Sequence, residues 1–390
     1  MKLSAYITCA VGLISTIGML SCATANDNKR SNDMRYKVRP LMVPAAPQRG
    51  AHMDRPHVDG YDVQPFVVRN SGYADRYEVK QFIAEMQREH GFKPDQLRRV
   101  LGQAEHQASA VRLMTPKPKP AFSDKPTWTP WHKYRKKFLN ELRITRGADF
   151  YAENVQALKR AEQTYGVPAE IITAIIGVET YYGRNMGSYR VLDALVTLAF
   201  DSPRRNEFFK KELKEFMLMV REQRLTSTDL KGSYAGAMGY GQFMPSSYRK
   251  YAVDFDGDGR ADIWNNPVDA IGSVANYFKG HGWVRGDVVI ERARTNALFD
   301  ASGANVTREP NVSLGQLNRL GFQLNTHHRL SPNKMSNLVE LRGAYGKEYW
   351  IGFQNFFVIT EYNHSRRYAL AVYQLAQEIK ARQGRLLYFD

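Results

Sequence analysis

Cysteine is almost absent from this 390-residue chain, which has only Cys9 and Cys22. Both fall within the first 22 residues, so no disulfide can staple the rest of the chain, although an exported protein could have used one. No Cys/His cluster has zinc-binding spacing. An RNP-type signature is missing, as is any glycine loop ending in Gly-Lys-Ser/Thr. These absences leave no P-loop and no recognisable nucleic-acid module. No repeat of 20–50 residues is evident, which argues against a solenoid or propeller. Acidic residues are scarce beside basic ones, 39 against 55, giving a formal net charge of +16. That balance favours an anionic partner such as an acidic lipid or an anionic wall polymer. Nucleic acid has only charge in its favour and is not expected.

What is present supports a large core: 43% of residues are hydrophobic, with 22 Tyr, 19 Phe and 5 Trp. That content suits one large domain or two intimate ones. Aromatic rings build sugar clefts and ordinary cores alike, and composition does not separate the two.

Residues 1–21 read as a secretory signal, with a short positive start at Lys2 and a mostly apolar run from Leu3 to Leu20. Met19-Leu20-Ser21-Cys22 resembles a bacterial lipobox, with Met19 where Leu is usual, so Cys22 is the expected lipidation site. The alternative is a plain cut near Ala23 or Ala25, leaving a soluble periplasmic protein. Residues 22–76 are mostly polar, basic and Pro-bearing without a period, as in a flexible tether. A tether of ~50 residues reaches about 40 Å. The folded region is expected over 77–385. It should be α+β and mainly helical, with helices at Val79–His90, Lys93–Glu105, around His132–Leu142, and at Ala148–Tyr165. Another should open at Ser202-Pro203, and one should cover Tyr368–Arg382. A few strands are expected within Val284–Thr295 and Leu338–Thr360.

The central stretch runs from Val167 to Arg184. Pro168 and Glu170 suit the first turn of a helix, and Ile171, Ile172, Ile175 and Ile176 form an apolar stripe. Glu179 projects from or beside that stripe. A desolvated carboxyl there would have a raised pKa, the property needed to protonate a glycosidic oxygen. Alternatively Glu179 is a helix-end residue that reaches solvent or pairs with Arg184, and the pattern alone favours this by roughly two to one.

Three other stretches carry candidate chemistry. Lys231–Ser247 holds four glycines between Gly232 and Gly241, which suits either close backbone approach to a ligand or a tightly packed turn. Ser233, Tyr240 and Gln242 offer it uncharged hydrogen-bonding groups. In 254–269, Asp254, Asp256, Asp258, the Arg260 carbonyl and Asp262 sit at EF-hand positions 1, 3, 5, 7 and 9, and Gly259 sits at 6. Position 12 is Asn265 rather than Glu, so Asp269 either closes the loop or caps the next helix. Four acids within nine residues favour a structural calcium ion. In Glu361–Tyr368, Asn363 and Ser365 suit a helix cap, while Tyr362, Asn363 and Tyr368 could equally line a cleft.

Six stretches together resemble the lytic murein transglycosylase B family over roughly residues 77–385. They are Gly177-Val-Glu-Thr-x-Tyr-Gly183, Ser202-Pro-Arg-Arg-x-Glu-Phe-Phe, Ala235-Gly-Ala-Met-Gly-x-Gly-Gln-Phe-Met-Pro-Ser-Ser247, Asp262-Ile-Trp, Asp269-Ala-Ile-Gly-Ser-Val-Ala-Asn-Tyr-Phe278 and Tyr362-Asn-x-Ser-x-x-Tyr368. The resemblance implies a lysozyme-like catalytic core with additional α and small β subdomains, a calcium loop and no organic cofactor. It implies cleavage of the MurNAc–GlcNAc β-1,4 bond of peptidoglycan to 1,6-anhydroMurNAc ends, with Glu179 as acid and then base. Ser233, Met238, Tyr240, Gln242, Tyr362, Asn363 and Tyr368 would line the cleft. Arg204 and Arg205 would meet a peptide stem or lactyl carboxylate. Expected partners are glycan strands, the membrane through Cys22, and wall-remodelling proteins; the expected place is the periplasmic face of a Gram-negative outer membrane. Two competing readings are a hydrolytic muramidase using Asp193 or Asp201 as second carboxylate, and a non-catalytic wall-binding lipoprotein.

Overall fold

The computed structural model describes residues 72–115, 129–325 and 330–386, with side chains to residue 384. The leader, Cys22 and nearly all of the expected tether lie outside the described residues. The first helices are α1 (Tyr77–His90), α2 (Pro94–Leu101) and α3 (Ala108–Met114). In α1 Val79, Phe82, Ile83 and Met86 form a buried stripe, and Gly91 at φ 66° ends the helix. Then come α4 (Trp131–Tyr134), α5 (Glu141–Glu153), α6 (Val155–Tyr165), α7 (Ala169–Thr180), β1 (Tyr189–Arg190), α8 (Val191–Phe200) and α9 (Asn206–Glu222). After β2 (Lys231–Gly232) the chain forms α10 (Pro245–Tyr251) and α11 (Pro267–Gly280).

Every residue of α7 except Glu179 is buried. The helix packs against α5, α6, α11 and α14 (Arg366–Leu386), so its neighbours surround it with apolar side chains. Each fully buried Ile contributes roughly 1.5–3 kcal/mol of transfer free energy.

The β part comprises β3 (Ile290–Thr295), β4 (Val312–Ser313), α12 (Leu314–Arg319), β5 (Phe322–Leu324), β6 (Met335–Arg342) and β7 (Lys347–Gly352). The strands form an antiparallel sheet in the order β4-β6-β7-β3-β5. A second, smaller core of Leu314, Leu317, Phe322, Leu338, Tyr349, Ile351 and Phe353 lies on it. From β7 the chain passes into α13 (Gln354–Tyr362) and α14.

Several expectations need correction. The folded region starts before Tyr77, because Tyr73 is buried and its hydroxyl donates to Asp201. The single helix expected over Ala148–Tyr165 is two, interrupted at Asn154, whose φ of −117° and ψ of 22° leave the helical range. The helix expected from Ser202 starts at Asn206, because Arg205 takes a left-handed φ of 60° and the Ser202 hydroxyl bonds within its own turn. Residues 354–360, the end of a stretch expected to hold strands, instead belong to helix α13 (Gln354–Tyr362). Their aromatic and β-branched residues are buried all round, which erases the helical period.

Asp193 and Asp201 tie the first segment to α8. Asp193 accepts from the Glu105 backbone N–H (3.1 Å) and the Gln107 amide (3.4 Å). Asp201 receives Tyr73, Arg76 at 2.5 Å and His106 at 2.7 Å. These donors hold the Asp201 carboxyl below its ordinary pKa despite its burial. A lowered carboxylate pKa stabilises the fold at neutral pH, and that contribution is lost as pH falls through the folded-state value. Asp201→Ala should therefore destabilise the protein by about 2 kcal/mol at pH 7. Denaturant melts of variant and wild type should converge as the solution is acidified.

Candidate active site

Helix α7 ends by an unusual route. Tyr181 (φ 55°) and Tyr182 (φ 61°) are consecutive left-handed residues that are not glycine, a strain of roughly 1–3 kcal/mol each. Their surroundings enforce it. The Tyr182 hydroxyl donates to the Arg143 carbonyl at 2.9 Å, and its ring lies where a Cβ on Gly177 would be, at 2.5 Å. The Tyr181 ring is covered by the guanidinium groups of Arg143 (4.7 Å) and Arg146 (4.6 Å). Buried Arg143 also donates to the Gly177 carbonyl, satisfying a helix-end acceptor with a cation. Glycine at 177 is thus required by close approach.

Glu179, two residues before this exit, is half-buried and does not pair with Arg184. Its Oε1 accepts a hydrogen bond of 2.6 Å from the Tyr368 hydroxyl. Loss of water pushes the carboxyl up to about 7, and the Tyr368 bond opposes this by favouring the anion. The neighbouring ionisable side chains are tyrosines: Tyr134, Tyr277, Tyr362 and Tyr368 each feel the charge on Glu179, which with burial raises their own pKa values. Sequence reasoning missed Tyr134 and Tyr277. Tyr134 is buried, and its hydroxyl has no hydrogen-bond partner among the described residues. It sits in a four-residue helix too short to show a period. By contrast, Glu170 stays at the helix start, paired with Lys380 at 2.8 Å.

The glycine-rich loop is anchored to α7. The Thr180 hydroxyl donates to the Tyr240 carbonyl (2.9 Å), while the ring of half-buried Tyr240 occupies the space beside Gly183. Gln242, at φ 51°, donates from its amide to the carbonyls of Met186 and Gly239, both at 3.1 Å. Ser233 is half-buried, and its oxygen accepts from the Ala237 N–H at 3.0 Å. Met238 is fully buried and pairs its backbone with Phe243 across the loop. Tyr362 is buried, with its hydroxyl committed to the Gly241 carbonyl at 2.9 Å. Met238 and Tyr362 thus support the loop from behind rather than present a polar group to a ligand. Asn363 is fully buried, and the Ser365 hydroxyl accepts from the Tyr368 N–H as the helix cap. Arg204 is exposed, while Arg205 is half-buried with its guanidinium 4.5 Å from the Phe208 ring centre. Both arginines lie on the turn that leads into α9.

The acidic loop folds as its spacing suggests. Carboxylate oxygens of Asp254, Asp256, Asp258 and Asp269 lie within 4.8 Å of one another. Gly257 (φ 83°) and Gly259 (φ 92°) supply the left-handed turns. Asp269 is fully buried and accepts from the backbone N–H groups of Phe255 (2.7 Å) and Asp262 (2.8 Å), so it joins the two ends of the loop. The Asn266 side chain takes the capping role. Asp262 turns away and accepts from the N–H groups of Trp264 and Asn265. Exposed Arg260 donates its N–H to Asp258 at 2.9 Å. Hard oxygens gathered this closely suit a calcium ion. The loop's exit reaches the glycine-rich segment, where the Tyr240 N–H donates to the Ile263 carbonyl at 3.0 Å.

A family model, the transglycosylase SLT domain, matches residues 74–377. The chain belongs to that family. It is 48% identical over 310 residues to the membrane-bound lytic murein transglycosylase B of Escherichia coli K12, covering 79% of this chain and 84% of that relative. It also resembles the catenated lytic transglycosylase SltB1 of Pseudomonas aeruginosa, at 47% identity and a TM-score of 0.75 over 80% of this chain and 99% of that one. The E. coli lytic transglycosylase Slt35 in complex with calcium matches at 46% identity and a TM-score of 0.69, over 80% and 94%. The expected fold class stands: α+β, mainly helical, lysozyme-like, with a small β part.

Removing the Tyr368 hydroxyl should raise the Glu179 pKa further, because that bond favours the charged form. Carbon-detected NMR titration of Tyr368→Phe should show the Glu179 carboxyl titrating above its wild-type value; a downward move would refute the assignment.

Proposed function

We infer that Glu179 is the single acid–base group with which this chain, a peptidoglycan lytic transglycosylase, cleaves the MurNAc–GlcNAc β-1,4 bond. The observation that carries this is a desolvated carboxyl titrating near neutrality whose hydrogen-bond partner is a neutral tyrosine. Protonated Glu179 gives its proton to the glycosidic oxygen as the MurNAc ring gains oxocarbenium character. The N-acetyl group of MurNAc stabilises that cation, as in substrate-assisted glycosidases. Ionised Glu179 then takes the proton from the C6 hydroxyl, which closes on C1 to give the 1,6-anhydro ring. The Tyr368 hydroxyl holds the carboxylate in place between these steps. Tyr134, Tyr240, Gln242 and Ser233 supply uncharged polar groups suited to hydroxyl and acetamido substituents.

The hydrolytic alternative loses its second carboxylate, since Asp193 and Asp201 are both engaged with residues 73–107. The non-catalytic reading leaves the costly burial of Glu179 without a purpose. Asp254, Asp256, Asp258 and Asp269, with the Arg260 carbonyl, would hold a calcium ion whose contribution is structural. Attachment through lipidated Cys22 at the periplasmic face of the outer membrane completes the proposal. It accords with a relative named as membrane-bound. Among the described residues, no helix is long and apolar enough to cross a membrane.

Glu179→Gln should lower turnover by at least about 10²–10⁴-fold. It should melt no lower than wild type at pH 7, because it removes a carboxyl that is costly to bury. Wild-type digests of sacculi should carry anhydro ends by mass spectrometry, and reducing MurNAc ends would defeat the mechanism. Chelation should lower the melting temperature, and calcium should restore it; an unchanged melt would remove the ion from the account.

A further inference from the structure

An open cavity of about 740 Å³ lies between the β6–β7 hairpin and the first turn of α14, and its lining includes Glu340, Arg342, Lys347, His364, Arg366 and Arg367. Its charge pattern is unfavourable for an empty cavity. Arg342 and Lys347 are direct cross-strand partners, and both are exposed; like charges placed so repel. Lys347 turns to Glu340, at 3.0 Å. That leaves Arg342 with no ion pair among the described residues. Arg366 is half-buried, anchored by its Nη2 to the carbonyls of Asn305 (3.1 Å) and Thr307. Its Nε is buried with no partner among the described residues. Burial, with the charge of nearby Arg308 as a lesser cause, disfavours the cation on Arg366. Arg342, Lys347 and Arg366 thus line the cavity with one carboxylate, Glu340, and that carboxylate is already paired with Lys347.

We propose that this cavity binds a free carboxylate of a peptide stem carried by the glycan strand, at a site separate from the Ser202–Arg205 turn. The inference rests on the cleavage reading above. Guanidinium forks match carboxylates in pairs of parallel hydrogen bonds. Arg366 and Arg367 directly precede Tyr368, whose hydroxyl meets Glu179, so one helical turn carries both cavity arginines and the acid's hydrogen-bond partner. A strand held for cleavage at Glu179 carries its stem carboxylates with it, whereas a phosphate polymer would have to bind independently.

The test compares kcat/KM on strands bearing peptide stems with that on the same strands stripped by an amidase. Arg342→Glu is chosen because the side chain is exposed and distant in sequence from the acid, with Arg342→Ala as a milder second variant. Arg342→Glu should lose roughly tenfold on peptide-bearing strands, the scale of one charge-assisted contact, and nothing on stripped ones. Arg342→Ala should lose less, with the same selectivity. Equal losses on both substrates, or no loss on either, would overturn the cavity assignment while wild-type anhydro products keep the cleavage reading intact. Wild type that cleaves neither substrate would sink both. Unchanged kinetics together with weaker retention of inorganic polyphosphate by Arg342→Glu would reassign the cavity to a phosphate polymer.

Discussion

The structure depends on keeping one carboxyl away from water without giving it a cation. At neutral pH an unfolded glutamate is ionised, whereas Glu179 in the fold titrates near 7. That difference amounts to about 3 kcal/mol of interaction favouring the protonated form. A carboxyl whose folded pKa is raised costs stability above the unfolded value, so it weakens the fold as pH rises from acid to neutral. The cost falls on α7, whose other residues are all buried. The apolar helix gives enough packing to carry a poorly solvated acid, and the ring of tyrosines excludes charge without excluding hydrogen bonds. A lysine in place of any of them would stabilise the anion and remove the acid's function.

Positioning of the acid and the loop opposite is done by side-chain hydroxyls gripping backbone carbonyls. Thr180 holds Tyr240, Tyr362 holds Gly241, Tyr277 holds Glu361 and Tyr182 holds Arg143. Each bond joins segments far apart in sequence, and each contributes on the order of 1 kcal/mol. Glu212, buried on α9, performs the same service as an acceptor: it receives both the N–H (3.0 Å) and the hydroxyl (2.7 Å) of Ser246 at the start of α10. Its burial raises its pKa, yet both oxygens are spoken for. A raised pKa alone therefore does not mark a catalytic group; what separates Glu179 is that its bonding leaves the carboxyl free to exchange a proton.

Local pattern carries some of this and not the rest. The isoleucine stripe and Pro168 locate α7, and the alternating acids locate the metal loop, because both signals lie within a dozen residues. The standing of Glu179 is not legible from its helix, since the partner that defines it is Tyr368, 189 residues away. Asp193 and Asp201 look available as second carboxylates for the same reason: their donors come from residues 73–107, a segment whose start has the composition of a tether. Left-handed backbone is cheap at Gly183, yet α7 already turns at Tyr181 and Tyr182, held there by Arg143 and Gly177. Helix α13 is hidden by its own burial.

The metal loop links these observations. Its carboxylates are already engaged by backbone N–H groups: Asp254 alone accepts from Gly257 (2.7 Å), Asp258 (3.1 Å) and Gly259 (2.8 Å). Hydrogen bonds shape the loop, and what remains to be neutralised is charge. Phe255 anchors it, with its ring against Gly272 where a Cβ would clash at 2.4 Å. Asp269 then ties Phe255 to Asp262, and Ile263, the next residue, holds Tyr240 opposite the acid. A divalent cation among these carboxylates would relieve repulsion at one end of a rigid path whose other end is Thr180, next to Glu179. Any influence of the ion on the chemistry would therefore pass through the placement of the Tyr240 loop, not through charge at the carboxyl itself.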